Sequence, residues 1–303
     1  MKRLLILVYE RIYNLIMWLR DYISNRFFYR LRIMSSAQTL KLILEKNLSI
    51  ARYGDGELDY LFQKRDVGFQ KPSRVLQNRL REVISYPPKN LLLCMPSTIN
   101  SVKELNGYPK KYWTDWCKNG HKREVVLLIK HLSPKDYIFG NTQVSRPYMD
   151  YKSPKHAERL FPMLKKLWNR RDIIIVEGSQ TRMGIGNDLY DNAKSIKRII
   201  APAVNAFESY DEILDSIVEL YHGELIIMAL GPTATVLASD LANKNIQALD
   251  LGHLDIEYEW FLKGAKEKVA IEGKFVNEVG IEGRKMSVCN DEKYLSQIVR
   301  VIE

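Results

Sequence analysis

The sequence predicts an α/β domain with a mainly parallel sheet and helices on both faces, and three features lead there. Several short runs are apolar throughout: Ile173-Ile174-Ile175-Val176, Ile199-Ile200 behind Arg198, and Leu225-Ile226-Ile227-Met228-Ala229. Strands covered on both faces read this way, whereas strands with one wet face alternate. Helical patterns at residues 210–221 and 233–243 separate the runs, and parallel pairing needs such crossovers. No repeat, low-complexity tract or Pro/Gly linker divides residues 36 to about 280. One domain, 36–303, is therefore expected behind a basic amphipathic helical extension, 1–35. At 303 residues, 46% hydrophobic and 27% charged, the chain can bury a large core.

In chain order, Ser36-Ala37-Gln38 opens a helix over residues 39–45, and residues 48–51 form a strand leading into a glycine-rich turn. A second helix over 74–84 stops at Pro87-Pro88, and Leu91-Leu92-Leu93-Cys94-Met95 is a strand ended by Pro96. Val125-Val126-Leu127-Leu128-Ile129 reads as a further strand. Residues 155–169 form a helix with Leu160, Met163, Leu164, Leu167 and Trp168 on its apolar face, and residues 246–251 supply a late strand.

The chain carries 46 Lys and Arg against 36 Asp and Glu, a net charge of +10, with a pI near 9.3. Such a balance favours anionic partners. Nucleic acid is disfavoured because no recognised motif accompanies the charge. Half of the excess lies in residues 1–32, where Lys2, Arg3, Arg11, Arg20, Arg26, Arg30 and Arg32 meet only Glu10 and Asp21. Glu10 and Arg11 interrupt the apolar residues 4–19, so no run reaches the ~18 residues of a spanning helix. No small-residue cleavage site follows. With Tyr9, Tyr13, Trp18, Phe27, Phe28 and Tyr29, the segment suits an anionic membrane surface. A helix packed on the domain or between subunits has the same pattern. Cys94, Cys117 and Cys289 lack metal spacing and leave one thiol unpaired, which fits a cytoplasmic protein. A peripheral position on the inner face of the cell membrane is compatible with both features.

In a parallel sheet, ligands gather beyond the carboxyl ends of the strands, and the informative segments fall there. Asp55-Gly56-Glu57 places two carboxylates where both can address one divalent cation, Mn²⁺ or Mg²⁺, bridging to a diphosphate. Arg52 adds a fork for phosphate, and Gly54 lets backbone come close. The plainer alternative is a helix start, with Asp55 as cap and Glu57 in the first turn. Glu177 follows a strand. Arg182 and the loop with Gly186 and Asn187 can reach a diphosphate and a sugar, or form a turn and cap. Leu189 stands where a dinucleotide fingerprint requires its third glycine. Gly231 and Thr233 join a buried strand to a helix and suit either phosphate or a cap. His253, Asp255, Glu257 and Glu259 alternate after Gly252, facing one way on a strand and spreading around a helix.

Six blocks recur in order: Arg52-Tyr53-Gly54-Asp55-Gly56-Glu57, Ser145-Arg146-Pro147-Tyr148, Val176-Glu177-Gly178, Gly184-Ile185-Gly186-Asn187-Asp188-Leu189, Ala229-Leu230-Gly231-Pro232-Thr233-Ala234, and the stretch from Asp250 to Trp260. With them, the chain resembles the GT-D-fold glycosyltransferases, a bacterial family of sugar-nucleotide-dependent enzymes, over residues 49–278. Tyr53 stands where phenylalanine is expected. The resemblance implies transfer of a hexose such as glucose from a nucleotide sugar, expected to be UDP-linked, to a bacterial glycan or glycoprotein. It makes Asp55 and Glu57 the metal-diphosphate element. Asp255, Glu257 and His253 are the candidates for the base that deprotonates the acceptor. The alternative is a non-catalytic nucleotide- or glycan-binding subunit of a membrane-associated polysaccharide assembly.

Overall fold

A computed structural model describes residues 11–13, 15–16, 29–62, 68–118, 120–280, 283 and 288–303. In chain order the regular elements are α1 (Ser36–Lys46), β1 (Ser49–Arg52), α2 (Asp55–Tyr60), α3 (Arg74–Ser85), β2 (Leu91–Met95), α4 (Gly107–Trp116), α5 (His121–Leu132), β3 (Gly140–Asn141) and α6 (Lys155–Lys165). They continue with β4 (Asp172–Gly178), β5 (Ser195–Ala201), α7 (Tyr210–Leu220), β6 (Leu225–Ala229), α8 (Pro232–Asn243), β7 (Ala248–Asp250), α9 (Leu254–Leu262), α10 (Glu292–Ser296) and β8 (Ile298–Val301).

The strands form one sheet in the order β3-β2-β1-β7-β6-β4-β5-β8, and every pairing is parallel. The side chains of β4 show how it is covered. Ile174 and Val176 enter one core with residues of α3, α5, α7 and α8, while Ile173 and Ile175 enter another with residues of α1, α6 and α9. Period-2 alternation therefore feeds two apolar layers, so the sheet has helices on both faces as the sequence implies.

The chain leaves β1 towards β2, but leaves β7 towards the far edge at β8. Their carboxyl ends thus flank a crevice that no direct crossover covers, the point where ligands bind in open α/β sheets.

One reading needs correction, and one left open between strand and helix is decided. Residues 125–129 belong to α5, not to a strand: Val125, Val126 and Ile129 are buried at helical spacing, while Leu127 is exposed. Five consecutive apolar residues fit either element, and the tertiary core decides. Residues 254–262 form a helix, so the acidic residues after His253 spread around an axis rather than facing one way.

The expected extension over 1–35 lies largely outside the described residues. Within it, residues 11–13 and 15–16 are helical, with Ile12, Leu15 and Ile16 exposed. Among the described residues, no helix is long and apolar enough to cross a membrane, and Cys94, Cys117 and Cys289 are free thiols.

Candidate active site

The crevice between β1 and β7 is closed at its base by Arg52 and Asp250. Arg52 donates from Nε to the Asp250 carbonyl (2.6 Å), from a terminal guanidinium nitrogen to Asp250 Oδ1 (2.8 Å), and from the other to Ser145 Oγ (2.6 Å). The backbone N–H of Arg52 reaches Asp250 Oδ2 at 3.2 Å, and the Thr235 hydroxyl donates to the Arg52 carbonyl at 3.0 Å. Gly252 is required beside this pair, because a Cβ there would lie 2.7 Å from the guanidinium. Arg52 was expected at the donor. The structure joins it to two residues that lie in the sequence blocks but were given no role there, Asp250 and Ser145, although a lone acid closing an apolar strand could have flagged Asp250.

A second cluster lies above it. Arg146 pairs with Glu278 at 2.9 Å, Lys268 reaches the same Glu278 oxygen at 3.1 Å, and His253 Nε2 stands 3.6 Å from the other. Burial works against ionisation of Glu278, yet Arg146, His253 and Lys268 hold its carboxyl far below the ordinary range. Burial also opposes the charge of Arg146, but Glu278, Asp150, Glu257 and Asp55 raise its pKa. His253 is pushed down to about 3, first by burial and then by Arg146, with Arg52 and Lys268 adding to it against Glu278. It is therefore a neutral imidazole, and its side chain remains 37% exposed. Arg146 lies in one of the six sequence blocks but was given no role, and Lys268 and Glu278 were missed, because nothing in their spacing pairs residues so far apart.

Glu257 is fully buried on α9 and accepts the backbone N–H groups of Tyr148 and Met149, both at 2.9 Å, through one oxygen. Its other oxygen has no hydrogen-bond partner. Burial and then Asp150 push its carboxyl up to about 7. It fixes the chain that carries Arg146.

Asp55 and Glu57 begin α2, one turn above Arg52. Gly54, not Asp55, is the cap, and Glu57 folds back to accept the Gly54 N–H at 2.8 Å. Asp55 accepts the Tyr112 hydroxyl. Burial and then Asp250 push the half-buried Glu57 up to about 7, against the lowering effect of Arg52. Tyr53 carries its extra hydroxyl into the core and donates it to the Leu80 carbonyl at 2.7 Å.

The remaining candidates separate. Asp255 is buried, accepting Gly184 N–H at 2.8 Å, Asn187 at 2.9 Å and Lys274 Nζ at 2.7 Å. Lys274 and Asn187 also meet Glu259, at 2.9 and 2.7 Å. Glu177 is fully enclosed by Arg198 (2.7 Å), the Met183 N–H (2.6 Å) and the Tyr294 hydroxyl (3.2 Å). Their local effect is to pin the 182–187 loop, where Gly186 has φ +76° and Arg182, at φ +50°, donates to the Gly273 carbonyl at 2.9 Å. Gly231, at φ +54°, caps α8 and lies under the Phe69 ring. Thr233 is not the cap; its buried hydroxyl has no hydrogen-bond partner.

Among the described residues, no group of three or more His, Cys, Asp and Glu forms a metal cage. Asp55 and Glu57 are hard oxygen donors, and a cation would favour the ionised form of Glu57, which burial and then Asp250 oppose despite Arg52. That donor set fits a cation completed by phosphate and water oxygens, which needs few protein ligands.

The profile of the family described as "Glycosyltransferase GT-D fold" matches residues 50–279. Among curated proteins, the glycosyltransferase GlyD of Streptococcus pneumoniae serotype 4 is 37% identical over 263 residues, 86% of this chain and 31% of that protein. The probable glycosyl transferase Gly of Streptococcus gordonii is 36% identical over 278 residues, 89% of this chain and 39% of that protein. The chain thus spans well under half the length of either. Among solved structures, "a new glycosyltransferase (DUF1792) from Streptococcus sanguinis" superposes with a TM-score of 0.83 at 35% identity, covering 90% of this chain and 100% of that one. A structure described as a highly conserved domain of unknown function 1792 with a distinct glycosyltransferase fold superposes at 0.84 and 34% identity, covering 93% and 100%.

The Lys274 network gives a stability prediction. Lys274→Met leaves Asp255 buried without its cation and Glu259 with only the exposed Lys263 at 3.9 Å, and should cost about 3–5 kcal/mol in urea denaturation. Adding Asp255→Asn and Glu259→Gln should recover much of the loss. A single variant as stable as the parent would show that the network contributes nothing.

Proposed function

The chain belongs to the glycosyltransferase family with the GT-D fold, and from that premise we propose that it moves a hexose such as glucose from a uridine diphosphate sugar to a bacterial glycan or glycoprotein. The observation that carries this reading is the cationic group of Arg52, Arg146 and Lys268 at the β1/β7 crevice, facing Asp55 and Glu57. In the reaction the anomeric C–O bond to the diphosphate breaks and a C–O bond to the acceptor hydroxyl forms. Charge gathers on the departing diphosphate. Arg146 and Lys268, already held by Glu278, stabilise it without reorganising. A divalent cation, Mn²⁺ or Mg²⁺, held by Asp55 and Glu57 supplies further charge neutralisation.

The acceptor proton passes to His253 in this scheme. Its imidazole is half-buried and uncharged, and Glu278 stands beside it to stabilise the imidazolium that forms. Diphosphate bound among Arg52, Arg146 and Lys268 offsets the positive field acting on His253, so its basicity rises when donor is present. Asp255 and Glu257, also base candidates on sequence, serve by positioning the 182–187 loop and Arg146. Glu177, Arg182, Gly186, Asn187, Gly231 and Thr233 shape the donor side, through the loops rather than by direct contact where they are buried.

Leu31 is buried in the core and residues 32–34 pair with Phe139, so within residues 1–33 the part ahead of Leu31 is proposed to rest on an anionic bilayer and so bring the crevice to a surface or lipid-linked glycan. The exposed apolar residues Ile12, Leu15 and Ile16 support this.

Three measurements test these assignments. Calorimetry with UDP should show Mn²⁺-dependent binding that strengthens as pH rises through about 7, where Glu57 loses the proton that competes with the cation. Chelator or Asp55→Ala should weaken it, and Glu57→Gln should remove the pH slope. Metal-independent UDP binding would eliminate the cation while leaving the transferase reading. His253→Asn should lower turnover by about 10²–10⁴-fold with donor affinity little changed; wild-type turnover would exclude His253, and a parent chain that binds UDP without turning over any sugar would favour the binding-subunit alternative. For the N-terminal segment, salt-sensitive co-sedimentation with phosphatidylserine vesicles, lost in a chain starting at Tyr29, which keeps the core residue Leu31, is the expected outcome. Vesicle binding unchanged by the truncation would move the membrane contact elsewhere.

A further inference from the structure

One turn along α2 from Asp55, the structure opens into a groove of about 440 Å³ outside the β1/β7 crevice. Helix α4 forms its wall. Pro109 and Trp113 fill the core from the opposite face of this helix, while Tyr108, Tyr112 and Trp116 line the groove at successive i, i+4 positions. Tyr108 is 71% exposed, and its ring stacks on Tyr112 with centroids 6.3 Å apart and planes inclined at 27°. Lys111 and Asp115 stand on the rim. The floor is Asp59, whose carboxylate accepts Trp116 Nε1 at 3.0 Å and lies 2.9 Å from His121 Nε2.

We propose that this groove binds a pyranose of the acceptor glycan, a role that rests on the transferase reading. The chemistry of the wall identifies the occupant. A pyranose presents C–H groups on one face and hydroxyls around its rim, and it needs a flat aromatic platform edged by charged hydrogen-bonding groups. Tyr108 with Tyr112 is that platform, and Asp115 and Lys111 are the edge. The volume is within the range of small-molecule sites, about 300–1,000 Å³.

Position supplies the second argument. Tyr112 forms part of the groove and donates its hydroxyl to Asp55 at the donor side. Asp55 and Asp59 are four residues apart on α2, about 6 Å along the axis. A sugar on Tyr108 and Tyr112 is therefore close enough to the crevice to present a hydroxyl there. Tyr112 touches both spaces, so it links occupancy of the groove to the carboxylate assigned to the cation.

The test uses the full chain and two separate probes. Saturation-transfer NMR with methyl glycosides of glucose, galactose and N-acetylglucosamine reads the groove, and calorimetry with UDP reads the donor side. At least one glycoside should bind, with its ring-face protons most strongly saturated. Tyr108→Ala should weaken that binding about tenfold, the size of a lost aromatic contact, whereas Tyr108→Phe should preserve it. Neither variant should alter UDP binding. Glycoside binding that ignores Tyr108→Ala, or the absence of any glycoside binding, would overturn the groove and leave the transferase reading standing. Loss of UDP affinity in Tyr108→Ala would overturn it differently, making the aromatic wall a nucleoside platform. Tyr108-dependent glycoside binding without UDP binding would support the groove while removing the donor assignment.

Discussion

The arrangement of the site depends on one ion pair, Arg52 with Asp250, across the boundary between β1 and β7. It takes two charges from the last residues of two neighbouring strands and buries them together. Burial of charge is costly unless each polar atom finds a partner. Here the guanidinium meets a carboxylate oxygen, a backbone carbonyl and the Ser145 hydroxyl, while the Thr235 hydroxyl of α8, donated to the Arg52 carbonyl, also lies 3.2 Å from the carboxylate. One interaction thus joins β1, β7, α8 and the chain leading to Arg146. Gly252 follows because any larger residue would displace the guanidinium.

From that base, charges of both signs are distributed over the crevice so that few stand alone. Arg146, Lys268, Glu278 and His253 form one group, with Asp55, Asp150 and Glu257 close enough to influence Arg146. Their mutual influence is strong because their side chains are largely shielded from solvent. Burial and then the cation field leave His253 uncharged, and burial, with Asp250 and Asp150 adding to it, raises the carboxyls of Glu57 and Glu257 to about 7. The same buried charges therefore also determine which residues carry protons.

Helix α9 illustrates how neighbouring acids acquire different work. Asp255 and Glu259, one turn apart, share Lys274 and Asn187 and fasten the 182–187 loop. Glu257, between them in sequence, points elsewhere and fastens residues 148–149. In the sequence all three look alike, as an alternating acidic stretch after a glycine. Had the segment been a strand, they would have faced one ligand together. The helical turn instead divides them between two loops.

The sequence by itself determined the layered parallel sheet, since several short β-branched runs such as Ile173-Ile174-Ile175-Val176, separated by helical patterns, read as strands buried on both faces. It also placed Arg52, Asp55, Glu57 and His253 at strand ends, because glycine and charge directly after an apolar run mark that position. Its local pattern failed at 125–129, where apolar residues alone do not distinguish helix from strand. Only the tertiary structure decided the partners. Arg52 meets Asp250 across 198 residues, and Arg146 meets Glu278 from a different loop. Those pairings determine which carboxylates are enclosed and which face the crevice. Composition and periodicity describe a residue's neighbours along the chain, whereas charge, burial and protonation depend on neighbours in space.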